Sequence, residues 1–133
     1  MSSFLNGDRR PLLACRFTHS DLPDLRLMVA GQATCAGLAG MRWDDFVLAV
    51  HEGAVNAVGH GSGAAWMRLW RNGVMLCCEI RNAGLGGKQA RSERRQDGTG
   101  GRGLWLISQL ADEVTFTSGT AGTRLWIAFR LPS

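Results

Sequence analysis

Apolar and polar positions fall into separate stretches along this chain, each with its own period. The stretch "ACRFTH" (Ala14 to His19) alternates, as a half-buried strand does. "SDLPDLRLMVAGQATCAGLAG" then places Leu25, Met28, Val29 and Cys35 at helical intervals, with Ser20 or Asp21 as N-cap, Pro23 in the first turn and Gly40 as the stop. "RWDDFVLAVHEGAVNAVGHG" predicts a second helix, with Phe46, Val47, Val50, Ala54 and Ala57 on one face and Gly61 as its stop. "AAWMRLWRNGVMLCCEIRN" holds two alternating runs joined by Asn72-Gly73, the dipeptide of a type I′ turn, and predicts an antiparallel hairpin. Periodicity is lost from Ala83 to Gly101, and a loop of roughly twenty residues inside a compact domain is usually functional. "GRGLWLISQLADE" predicts a third helix starting from Gly101 and Gly103; "VTFTS" and "TRLWIAFRL" predict a closing strand pair around "GTAG".

This order of elements gives an α+β fold: a two-layer sandwich with a mixed, mostly antiparallel sheet and helices on one face. At 133 residues the chain fits a single domain, 1–133, with 1–13 as a loose N-terminal segment. A content of 45% hydrophobic and 20% charged residues excludes a disordered or fibrous chain. No apolar run reaches membrane-span length, and Met1 to Arg10 lacks the apolar middle of a signal peptide, so a cytoplasmic protein without a membrane partner is expected. The four cysteines, at 15, 35, 77 and 78, form no CxxC pair and read as reduced thiols; Cys77 and Cys78 on one strand would point to opposite faces. The net charge of +4 raises nucleic acid as a partner, but its densest part, "KQARSERR" (Lys88 to Arg95), lies among glycines and reads as a solvated loop. Direct nucleic-acid binding is therefore not expected.

Candidate chemistry begins inside the second helix. At 100° per residue, Glu52, Asn56 and Gly59 fall within about 60° of one another, opposite the stripe of Phe46, Val50 and Ala57. Leu48, Ala49 and Val55 border that ridge, and apolar walls with a few fixed polar groups suit a ligand site; an exposed polar edge is the alternative. "DGTGGRGLWLI" (Asp97 to Ile107) leads glycines straight into a helix, leaving backbone N–H groups at a positive dipole end where a phosphate could approach. "RNAGLGG" (Arg81 to Gly87) sets a polar residue at a strand end before spaced glycines. Trp66 and Trp70, with Arg68 between them on one strand face, suggest an interface with a partner or with a second subunit, or packing on the chain's own first strand.

Taken in order, "LAVHEGAVNAVGHG", "EIRNAGLG", "GGRGLWLISQLADEV" and "GTRLWIAF" resemble the histidine-kinase-like ATPase domain, and within it the small bacterial anti-sigma-factor serine/threonine kinases. The resemblance runs from about Ala14 to the C-terminus. It implies ATP and Mg²⁺ as cofactors, held between helices under a mobile lid at about Gly87 to Gly100. It implies Glu52 as general base, Asn56 as Mg²⁺ ligand, and Asn82 at the adenine amine, with Gly84 and Gly86 shaping the adenine pocket. Gly101 and Gly103 would present backbone N–H groups to the phosphates, with Leu104 among the nucleotide contacts; Arg102 would reach either a phosphate or a partner, and Thr123 would lie near the adenine. The family usually has an aspartate where this chain has Asn82, so the charge-assisted bond to the adenine amine is replaced by a weaker neutral one. The activity implied is phosphorylation of a serine or threonine on an antagonist protein, together with sequestration of a sigma factor; a homodimer is compatible with the pattern. The alternative is a module of the same fold that sequesters its partner without turnover.

Overall fold

A computed structural model describes residues 10–59, 63–82 and 99–132, with side chains included for all but 99–102. Five strands, β1 (Leu13–Thr18), β2 (Ala64–Asn72), β3 (Met75–Asn82), β4 (Glu113–Gly119) and β5 (Gly122–Arg130), form one sheet in the order β1-β2-β3-β5-β4. Every neighbouring pair is antiparallel. Helices α1 (Leu22–Ala36), α2 (Gly40–Val58) and α3 (Thr99–Leu110) pack on one side of it. The expected α+β two-layer architecture is the one found.

The period of two explains how the layers meet. Ala65, Met67 and Leu69 on β2, Leu76, Cys78 and Ile80 on β3, and Leu125, Ile127 and Phe129 on β5 are buried in one core with Phe46, Val50 and Ala54 of α2. The intervening residues turn to the other face of the sheet. Cys77 and Cys78 do part company: Cys78 lies in the main core, and Cys77 lies with Trp70 and Ala128 behind it. All four thiols are free. Burial pushes the Cys77 thiol up to about 11 and that of Cys78 further still, so neither supplies a thiolate near neutral pH.

Helix ends differ from the expectation where several glycines compete. The first to adopt a left-handed conformation ends α1: Gly37, at φ 107°, donates to the carbonyls of Ala33 and Thr34. Gly40, the expected stop, instead opens α2 with φ 59°. That second helix ends at Val58 with Gly59 as its cap, and Gly61 lies outside the described residues. Asp21 spends its carboxylate on the turn before α1, accepting from the Thr18 N–H at 2.8 Å. The third helix begins at Thr99, ahead of Gly101. Trp43 ties α2 to α1, its indole N–H donating to the Ala30 carbonyl (3.1 Å) and to Thr34 Oγ1 (3.0 Å).

The tightest contact between the layers is at Gly53, in the middle of α2. A Cβ there would lie 2.8 Å from Leu125 Cδ2 and 2.9 Å from Ile80 Cδ1. The missing side chain lets the helix settle onto β3 and β5. Gly53→Ala gains up to about 1 kcal/mol of helix propensity but forces both methyl groups aside, at about 1–3 kcal/mol for overpacking. The expected net result is a protein about 1 kcal/mol less stable, read as a lower urea midpoint with an unchanged slope; a more stable variant would mean that the helix has room to spare.

Candidate functional site

The ridge on α2 faces the third helix. Glu52 and Asn56 are both half-buried, and Gly53 between them also approaches Ile107 of α3. Asn56 lies against the first turns of that helix: a Cβ on Gly103 would be 2.6 Å from Asn56 Nδ2 and 3.4 Å from Oδ1. Bare backbone is what allows the amide to sit there. Leu104 follows Gly103 and packs half-buried against the core, anchoring the start of the helix. Glu52 makes no ion pair among the described residues. Burial, then the charge of Arg26, pulls the neighbouring His51 below the usual imidazole value against the opposing pull of Glu52, so His51 is neutral at pH 7.

Asn82 closes the opposite wall. It is the last residue of β3 and pairs in register with Thr123 of β5. Its Nδ2 donates to the Ala57 carbonyl at 2.7 Å. Its Oδ1 accepts from the Thr123 backbone N–H at 3.3 Å and from Thr123 Oγ1 at 3.2 Å. The orientation of the amide is dictated by its partners, because a carbonyl only accepts and a backbone N–H only donates. An ionised carboxylate in this setting would face the lone pairs of the Ala57 carbonyl.

Asn56 and Gly103 thus meet where α2 passes the start of α3, Asn82 and Thr123 meet at the ends of β3 and β5 beside Ala57 of α2, and Glu52 lies one turn before Asn56 on the same helix. Gly101 and Arg102 fall in the first turn of α3, where only the backbone is described. Gly84, Gly86 and residues 87–98 of the expected lid lie outside the described residues, while Thr99 and Gly100 at its end are helical. The role of the Ala57 carbonyl has no signature in the sequence, since every residue carries one; the polar residue at the strand end was the only visible hint. No group of three or more His, Cys, Asp or Glu side chains among the described residues could hold a metal. The donor set fits Mg²⁺ all the same, an ion that usually keeps few protein ligands and takes the rest from water and phosphate. The free N–H groups in the first turn of α3, Gly101 among them, fit a phosphate, while Gly103, one turn further in, gives Asn56 its place beside them.

The profile of the histidine kinase-like ATPase domain matches residues 15–129. The chain belongs to that family, and nucleotide binding is the activity its fold supports. No curated protein matches the chain. No helix among the described residues is long and apolar enough to cross a membrane.

Two substitutions test this geometry without any ligand. Asn82→Asp removes the donor to Ala57 and should cost about 1–3 kcal/mol at pH 8. Carboxylate repulsion raises the folded-state pKa of the introduced group, so the loss should shrink as pH falls through that value and a protonated carboxyl again donates to Ala57. Equal destabilisation at pH 8 and pH 4.5 in urea melts would contradict the assigned bond. Gly103→Ala should destabilise the parent by about 1 kcal/mol, yet be neutral or stabilising beside Asn56→Ala, where helix propensity is all that remains. Additive effects in that cycle would mean that the two residues do not touch.

Proposed function

We propose that the protein is a cytoplasmic, ATP-binding regulator that acts as a serine/threonine-protein kinase on an antagonist protein and sequesters a sigma factor. The observation that carries this reading is the seating of Asn56 against the bare backbone of Gly103, one turn from Glu52 on the same helix, in a member of an ATPase family. Asn56 would offer its Oδ1 to Mg²⁺, and the N–H groups in the first turn of α3, Gly101 among them, would meet phosphate oxygens with the help of the α3 dipole; Gly103, expected to donate as well, is the fifth helical residue and instead makes room for Asn56. Arg102, Gly84 and Gly86 belong to the same proposed nucleotide contacts. Asn82 and Thr123 would border the adenine. ATP with Mg²⁺ supplies the phosphoryl group and neutralises its charge. Glu52 would hold the attacking hydroxyl and take its proton, a task for a carboxylate fixed on a rigid helix one turn from the metal ligand.

A second reading, sequestration without turnover, is favoured by one observation: Oδ1 of Asn82 already accepts two hydrogen bonds from Thr123, leaving it less able to accept from adenine. Two variants separate the readings. Glu52→Gln should retain the fold and the ATP-dependent thermal shift but slow phosphoryl transfer about a hundredfold, the scale of a positioned general base. Asn56→Ala should lose the Mg²⁺-dependent part of the thermal shift together with turnover. Labelled ATP with the cognate antagonist, or slow hydrolysis in its absence, provides the assay. Parent-like binding and turnover in both variants would reduce Glu52 and Asn56 to a polar helix edge and leave the sequestering module.

A further inference from the structure

The face of the sheet turned away from the helices carries a second assembly that the nucleotide reading does not use. Register aligns Arg16, Trp66, Arg81 and Arg124 in one row across β1, β2, β3 and β5, with Arg68, Glu79 and Trp126 in the next. At about 4.8 Å between strands, the first row spans roughly 15 Å. The guanidinium of Arg68 lies 4.4 Å from the centroid of Trp70, that of Arg124 5.4 Å from Trp126, and that of Arg81 5.8 Å from Trp66. Trp70, expected to be exposed, is 1% exposed beneath this layer, whereas Trp66 is 37% exposed. Glu79 is already spanned, by Arg68 at 3.6 Å and by Arg124 at 3.2 Å. Arg16 and Arg81 make no ion pair among the described residues.

These two rows thus set four arginines against one carboxylate. A guanidinium lying over an indole keeps its N–H edge free, and that edge matches the two oxygens of a carboxylate. Stacking on tryptophan also fixes the side chain in advance, reducing the entropy lost when a partner binds. Single-stranded nucleic acid is disfavoured because bases need uncovered ring faces, and here guanidinium groups lie over the indoles. A second copy of this face is disfavoured because it would set arginine against arginine.

We propose that the open face of the sheet docks an acidic polypeptide segment of a partner protein, its carboxylates meeting Arg16, Arg81 and the outer edges of Arg68 and Arg124. The inference is independent of the nucleotide site. The test uses the full chain and a fluorescein-labelled peptide of alternating Glu, Asp and Gly, twelve residues long, followed by anisotropy at low salt. The double variant Arg16→Glu/Arg81→Glu should weaken binding by about tenfold or more, and Arg26→Glu/Arg71→Glu, equal in charge but off this face, by less than about twofold. The milder Arg16→Gln/Arg81→Gln should fall between parent and charge reversal, which keeps the result interpretable if the reversal disturbs folding. A labelled oligodeoxythymidylate of equal charge should bind more weakly than the peptide. Equal losses in the two reversal variants, tighter binding of the oligonucleotide, or a parent dimer that Arg16→Gln/Arg81→Gln dissociates would each overturn the proposal.

Discussion

The close seating of α2 on the sheet at Gly53 is the constraint on which the rest of the molecule depends. With the ends of Leu125 and Ile80 occupying the space of a side chain, the helix axis lies nearer to β3 and β5 than any larger residue would allow. That height brings the Ala57 carbonyl within reach of the Asn82 amide at the strand end. It also lets Ile107 reach the same glycine from α3, so that the two helices share one apolar seam beneath the polar ridge. Glycine weakens a helix locally by about 1 kcal/mol, a modest cost against the apolar surface that the closer approach removes from water.

The sheet separates two kinds of chemistry. On the helix side, polar groups are few and half-buried, and Asn82 is fixed by the backbone of Ala57 and Thr123, as a small-molecule site requires. On the open side they are many, cationic and layered over tryptophan, which suits a broad and shallow contact. Strand alternation makes this division possible within single elements: β3 sends Cys78 and Ile80 into the core, and Glu79 and Arg81 to the opposite face. The strand then ends on Asn82, whose amide returns to the helix layer.

Much of this was legible in the chain because the signals were periodic. Asn72-Gly73 and its flanking alternation located the β2–β3 hairpin, and the spacing of Glu52 and Asn56 placed them on one ridge of α2. The helix boundaries were less legible because Gly37 and Gly40 both take a positive φ, and the local pattern does not show which of them closes a helix and which opens one. Trp66 and Trp70 looked equivalent by strand period, but only Trp70 is covered by Arg68, a long side chain whose direction no alternation reveals. The partner of Asn82 is a main-chain carbonyl, and the closeness of Asn56 to Gly103 arises from the packing of two helices distant in sequence. Neither has a counterpart in the local pattern.

The bond from Asn82 to Ala57 also finishes a helix. The last carbonyls of any α-helix have no partner within it, and those of α2 are satisfied in part by Gly59, which donates to Val55. The carbonyl of Ala57, further along the same turn, accepts a hydrogen bond from a side chain 25 residues later in the chain only because the sheet delivers Asn82 to that spot. One amide is thus both the terminator of a helix and a post of the adjoining cleft. Any molecule that draws this amide toward itself must loosen the last turn of α2, so that cleft and helix terminus behave as a single mechanical part.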